Sequence, residues 1–163
     1  MADFGLYMND KGEIEKENVK KIIPYGDGFL MVDKVLKLDE SRVIAQKETK
    51  ANDPVFHDHF RDFPIYPGAL IVEGLGQTAS ILIRSKIEHH EEKDILAYLI
   101  NSARFKKPVF PGSMMKFDIT LKRMDPQRAQ CEAKAIVGDE TIAECDMTVA
   151  IVNKKEFRGA YGR

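Results

Sequence analysis

From Gly68 to Ile83 the chain reads GALIVEGLGQTASILI, a helix-like run with one charge, Glu73. Its apolar positions (Ala69, Leu70, Ile71, Val72, Leu75, Ala79, Ile81, Leu82 and Ile83) are spread around the helix instead of along one stripe. A helix apolar on nearly all sides expects burial on nearly all sides, so the rest of the chain has to cover it. A carboxylate in such a helix is costly unless it is paired, hydrogen-bonded or kept protonated. Gln77, one turn later on the same face, is placed to hold it. Buried titratable groups near a possible partner are candidates for function, and His59 stands fourteen residues before Glu73. On these residues alone, a structural and a chemical role for Glu73 both remain open.

The flanking pattern predicts what covers the helix. Glu13 to Ile23 has a short helical pattern ended by Pro24, which disfavours helix in the residue before it. Tyr25 to Gly28 is a turn by composition. Phe29 to Leu38 and Val43 to Thr49 read as two strands joined by a polar turn at Asp39–Ser41. An irregular approach marked by Pro54, Pro64 and Pro67 follows. Pro67 suits the first helical position, where a missing N–H costs nothing, and the helix is expected to run from Gly68 to about Ile87. Ile95 to Ile100 and Ala103 to Val109 are two more candidate strands. Met115, Phe117, Ile119 and Leu121 then alternate with polar residues, as do Ala129, Cys131, Ala133 and Ala135. A Gly138-Asp139 turn leads into Thr141 to Val152, so the last fifty residues read as an antiparallel meander. One central helix with five to seven antiparallel strands is an α+β layout, the helix covering one face of the sheet, in a single domain over residues 1–163.

Charge balance excludes several classes of function. With 25 basic and 26 acidic residues, no global field favours nucleic acid or a membrane surface. The apolar run is shorter than the roughly 20 residues of a membrane span. Met1 to Asp10 lacks the basic start and apolar core of a signal peptide, so a cytoplasmic protein is expected. Cys131 and Cys145 have no metal-ligand spacing and fall in alternating stretches, where free cysteine acts as a small apolar residue.

His57 and His59 would point the same way on an extended backbone and, with Asp58 or Glu73, suggest a metal set. No cysteine lies nearby to complete a zinc site, so the signal is weak. Gly74, Gly76 and Ala79 spell GxGxxA, but a dinucleotide fingerprint must follow a strand and open a helix. Inside a helix already under way, small residues instead permit close packing. Arg104, Lys106 and Lys107 form a local basic cluster. His89 and His90 fall in a charged loop and read as exposed.

Three separated motifs carry a resemblance. Residues 56 to 77, F-x-x-HF-x-x-x-PI-x-PGALIVE-x-x-x-Q, are preceded by Ile23-Pro24 and Phe29-Leu30-Met31-Val32-Asp33. They are followed by Ala103-Arg104-Phe105-Lys106-Lys107-Pro108-Val109 and Pro111-Gly112. In order and spacing, over residues 13 to 152, this resembles the 3-hydroxyacyl-(acyl-carrier-protein) dehydratase family of bacterial type II fatty-acid synthesis, the FabZ type. The resemblance implies a hotdog fold, a long helix wrapped by a curved antiparallel sheet, paired into a homodimer and in many members into a trimer of dimers. It implies His59 as the catalytic histidine and Glu73 as the catalytic acid, meeting from opposite subunits. Gly68 matches the glycine whose N–H faces the thioester oxygen. Glutamate at 73 favours this branch over the dehydratase/isomerase branch, which carries aspartate. The chain departs from the pattern at Asp58 (usually glycine), at Arg61 (usually proline) and at Pro24-Tyr25-Gly26-Asp27-Gly28-Phe29, where the family reads PHRYPF.

The chemistry implied is loss of water from a 3-hydroxyacyl thioester. A histidine suits removal of the C2 proton near neutral pH, Glu73 protonates the departing hydroxyl, and the Gly68 N–H sits at the positive end of the helix. No metal, nicotinamide or flavin is needed. The acyl chain is expected in an apolar tunnel beside the helix. Its acidic carrier protein would meet a basic rim, for which Arg104, Lys106 and Lys107 are the candidates and Arg84 and Lys86 secondary ones. The alternatives are a hotdog thioesterase and a non-catalytic acyl-binding subunit of a synthase. A CoA-linked hydratase is less compatible, because Asp53 lacks the pattern that would pair it with His59.

Overall fold

The computed structural model describes residues 4–162. Part of the Met1–Asp10 segment and both extremes of the expected 1–163 domain lie outside the described residues. The chain runs through a 3₁₀ turn (Phe4–Tyr7), β1 (Ile14–Glu15), α1 (Lys16–Ile22), β2 (Lys34–Leu38), β3 (Arg42–Glu48), α2 (Val55–Asp58) and α3 (Gly68–Arg84). A second 3₁₀ turn (His90–Glu92) leads to β4 (Lys93–Phe105), β5 (Met114–Met124), β6 (Arg128–Val137), β7 (Glu140–Asn153) and α4 (Lys154–Tyr161). The strands form one antiparallel sheet in the order β1-β2-β3-β5-β6-β7-β4, with α3 packed on β3, β5 and β6. This is the α+β layout expected from the sequence.

The packing follows from residue size. On β6 the inward residues Ala129, Cys131, Ala133 and Ala135 are buried, while Arg128, Gln130, Glu132 and Lys134 face out. Such small side chains let the helix lie close to the sheet. At Gly74 the approach is closer still, since a Cβ there would meet the Phe117 ring at 2.5 Å. The GxGxxA glycines thus include one that permits close packing, as the sequence suggested. Cys131 and Cys145 are both free and buried. Complete burial of side chains such as Leu75, Leu82 and Phe117 contributes about 1.5–3 kcal/mol each.

Several boundaries differ from the sequence reading, each for a physical reason. α3 ends at Arg84, three residues early, because the buried Arg84 guanidinium donates to the carbonyls of His90 (2.7 Å) and Lys93 (3.0 Å) and draws the chain back over the helix end. Arg84 is therefore not a rim cation. Pro67 is the N-cap, with Gly68 the first helical residue. The two strands expected at 95–100 and 103–109 are one, β4, interrupted only by register shifts between Ala97 and Leu99 and between Ile100 and Ser102. Residues 29–33 are not strand, for a reason given with the site below. The last element, α4, has no counterpart in the meander reading. Asn153 caps it, its side chain accepting from the N–H groups of Lys155 and Glu156, and Arg158 clamps it to Asp94 with two hydrogen bonds of 2.8 and 3.0 Å.

His90 is buried, not exposed. It packs edge-on against Phe4 at 5.2 Å, and its Nδ1 is the only buried side-chain nitrogen or oxygen without a partner among the described residues. Burial first, and then the Arg84 guanidinium, hold it below the ordinary imidazole value of 6.5, while Glu91 pulls the other way. A depressed pKa leaves stability complete above that value. As pH falls through it, the unfolded chain takes the proton first, and stability is lost until the folded-state value is reached. In His90→Phe that loss should be smaller, measured as the urea midpoint over a pH series. An unchanged acid slope would contradict it.

Candidate active site

His59 is positioned by a short, closed stretch of backbone. The single turn α2 ends on it, and the peptide bond to Phe60 is cis. The loop beyond returns at Ile65, whose N–H donates to the His59 carbonyl at 3.0 Å. In return the His59 ring Nδ1 lies 3.0 Å from the Ile65 carbonyl. A carbonyl oxygen only accepts, so Nδ1 is the donor and the neutral ring leaves the Nε2 lone pair free for a proton. The Phe60 ring stacks on the imidazole at 4.4 Å. The Tyr66 N–H donates to the Val109 carbonyl at 2.7 Å, fixing the loop to the segment after β4.

That segment supplies the opposite wall. A cavity of about 460 Å³ is lined by His59, Gly68, Ile71, Phe105, Lys106 and Lys107, among others. Gly68 opens α3, where the first N–H groups have no intrahelical acceptor. A Cβ on Gly68 would stand 2.7 Å from the Phe105 ring, so glycine is what lets that ring lie against the start of the helix.

Glu73 lies elsewhere. It lines a second cavity of about 340 Å³ between α3, β4 and β7, whose other walls include Tyr25, Val72, Ile95, Leu99 and Met147. It is a largely apolar cavity on the side of the helix where a tunnel for the acyl chain was expected. The N-terminal half of α3 is open on this side, whereas every residue from Gln77 to Arg84 is buried. Ala69 borders both cavities. His59 and Glu73 thus occupy adjoining cavities and do not share one within the chain.

Gln77 holds Glu73, as its position suggested, and does more. Its Nε2 donates to Glu73 Oε1 (2.9 Å) and to the Phe29 carbonyl (2.8 Å), and its Oε1 accepts from the Met31 N–H (2.8 Å). A buried side-chain amide on α3 thereby takes the place of a neighbouring strand for residues 29–31. This is why β2 begins only at Lys34. The signal in the sequence was a second polar residue one turn after Glu73.

The other candidates fall into place less simply. Lys106 pairs with Glu144 at 2.7 Å and Lys107 with Glu140, both acids on β7. Arg104 borders a shallow polar depression with Glu132, Lys134, Glu144 and Asp146. The basic cluster does reach the His59 cavity, but two of its charges are already matched. His57 is exposed and bonded to Asp58 at 2.9 Å. It sits in a helical turn, so the extended geometry that would have paired it with His59 does not occur. Among the described residues no group of three or more His, Cys, Asp or Glu is placed to hold a metal, and no described helix is long and apolar enough to cross a membrane.

Comparison with known proteins places this geometry in context. Residues 23–146 match the family model of the FabA-like domain. The chain is 39% identical over 137 residues, 83% of its length and 96% of the relative's, to the 3-hydroxyacyl-(acyl-carrier-protein) dehydratase FabZ of Thermotoga petrophila. It is 37% identical over 143 residues, 86% and 97% of the two chains, to the FabZ of Bacillus thuringiensis. Among solved structures, the dehydratase heterocomplex ApeI:P of Xenorhabdus doucetiae is similar at a TM-score of 0.75, with 14% identity over 89% of this chain and 97% of that one. The thioesterase HI1161 of Haemophilus influenzae is similar at 0.65, with 15% identity over 86% and 92%. At such identities the structural likeness carries the hotdog fold and nothing further.

Proposed function

The chain belongs to the FabA-like family and, within it, to the FabZ-type 3-hydroxyacyl-(acyl-carrier-protein) dehydratases; on that premise we propose that it converts 3-hydroxyacyl thioesters on a carrier protein to 2-enoyl thioesters, in one domain working in the cytoplasm. The observation that carries this is the His59 ring, anchored through Nδ1 so that Nε2 is free as a base, in a cavity that also contains the start of α3.

His59 Nε2 takes the C2 proton. The electron pair forms the C2–C3 double bond while the C3–O bond breaks, and Glu73 gives the departing hydroxyl the proton that makes it water. Charge developing on the thioester oxygen meets the Gly68 N–H at the positive end of α3, a type of donor worth about 10²–10³ in rate. Return of the proton from His59 to Glu73, through solvent, resets the site. No metal or redox cofactor takes part.

His59 and Glu73 are proposed to meet across a homodimer. β4 is the end strand of the sheet and exposes Tyr98, Leu99, Ile100 and Phe105, each about half accessible. An unpaired apolar edge is a template for a second strand, and β4 forms one wall of the Glu73 cavity. Pairing two copies along β4 would cover the edge and bring the second chain up to that cavity. A further trimer of dimers rests on the family resemblance alone. Arg104, Lys106 and Lys107 are proposed to receive the acidic carrier protein, since exposed ion pairs such as Lys106–Glu144 are worth about 0–1 kcal/mol and exchange partners readily.

Incubation with a 3-hydroxyacyl-carrier-protein thioester tests the reading. Interconversion of hydroxyacyl and enoyl forms is expected. Release of free thiol would indicate a thioesterase, and binding without turnover an acyl-binding subunit.

A further inference from the structure

Tyr25 is a polar group on the Glu73 cavity that none of the roles above uses. It lies in the segment where the chain departs from the family pattern, with tyrosine in place of the histidine of PHRYPF. Its backbone is fixed, the Tyr25 N–H donating to the Ile23 carbonyl at 2.9 Å and the Phe29 N–H to the Gly26 carbonyl at 3.0 Å. Its ring is half-buried against the core and lies 6.2 Å from that of Phe29. Phe29 is in turn held by Gln77, the residue that also holds Glu73. Tyr25, Gln77 and Glu73 therefore form one unit, with loop and helix tied at the same amide.

We infer that the Tyr25 hydroxyl is a positioning residue for Glu73, acting with Gln77 as the second donor to its carboxyl group. The inference rests on the acid role of Glu73 given above. When Glu73 passes its proton to the leaving hydroxyl, its own O–H bond breaks and a negative charge appears on the carboxylate. Gln77 Nε2 already donates to that group and Tyr25 shares its cavity; two neutral donors there stabilise the charge as it forms, with little reorganisation at the moment of reaction. Tyr25 keeps its own proton throughout. Burial, and after it the Glu73 carboxyl, hold the phenol above its usual value against the opposing Arg84 charge, so it remains a donor at neutral pH. Gln77 fixes Glu73 Oε1, and the Tyr25 hydroxyl restrains rotation of the carboxyl about that contact.

Tyr25→Phe tests this, because it removes one oxygen and leaves the ring in the cavity wall. In a dehydration assay beside the wild type, kcat should fall about 10-fold, the rate equivalent of one hydrogen bond, with KM little changed. The limb of the pH–rate profile that reports the carboxyl group should move to higher pH, since a carboxylate that loses a donor holds its proton more tightly. Unchanged kcat and pH profile would overturn the inference. So would a raised KM with kcat retained, which would make Tyr25 only a wall of the acyl cavity. A wild type that does not dehydrate would overturn the dehydratase reading itself, and this role with it.

Discussion

His59→Ala is expected to lower the rate of dehydration by about 10²–10⁴-fold, the range a positioned general base contributes, while leaving fold and assembly intact. The imidazole is half-buried on a loop whose backbone closure does not need the ring. The Ile65 N–H still reaches the His59 carbonyl, and Phe60 and Phe63 still exchange their N–H and carbonyl groups at 3.2 Å. What is lost is the Nε2 lone pair. Glu73→Gln should cost a comparable factor for a different reason. The amide retains the size of the carboxyl and its contact with Gln77 but has no acidic proton to give. Near-normal turnover in either variant, measured on the same thioester, would remove that residue from the proposed chemistry.

Gln77→Leu is expected to damage stability and catalysis together. The glutamine is completely buried and satisfies three groups at once: the Met31 N–H, the Phe29 carbonyl and Glu73 Oε1. Leucine matches the volume and offers none of those bonds. Leaving a buried backbone group unpaired costs about 1–3 kcal/mol. With two such groups stranded, unfolding free energy should fall by on the order of 3 kcal/mol, read as a lower urea midpoint. Residues 29–31 would lose the two hydrogen bonds that Gln77 gives them from α3, and Glu73 would lose its holder. The residual folded enzyme should therefore show a reduced kcat. Full stability in this variant would mean that the crossing segment is held by packing alone.

What could be read from the sequence, and what could not, divides by the range of the interactions. The helix from Gly68 was legible because an apolar surface on all sides has no other use, and β5 to β7 because period-two alternation is local. The Glu73–Gln77 contact was legible for the same reason, being one turn of one helix. The course of residues 29–33 was not, since Phe29 to Val32 has a strand composition and its partner is a side chain 46 residues beyond Met31. His90 looked exposed in HHEEKD, but the distant Phe4 packs on its ring and Arg84, six residues before it, donates to its carbonyl. α4 was hidden by its polarity. KKEFRGAY offers no core stripe, and the helix is held by its Asn153 cap and the Arg158–Asp94 clamp. Of the proposed site, His59, Gly68 and Glu73 were singled out through the family motif, and the spacing of fourteen residues says nothing about contact. The two cavities make that plain, since within one chain they adjoin without merging.

A site shared between subunits is therefore the central claim, and mixing two inactive variants tests it most directly. His59→Ala and Glu73→Gln homodimers each lack a working site. After subunit exchange, each mixed dimer would hold one site with both substitutions and one with neither. With free exchange between equal amounts, roughly a quarter of wild-type activity should return, since about half the dimers are mixed and each has one of two symmetric sites restored. No recovery after exchange has been verified, by tagged-subunit co-purification, would place His59 and Glu73 of one site in the same chain or outside the chemistry altogether.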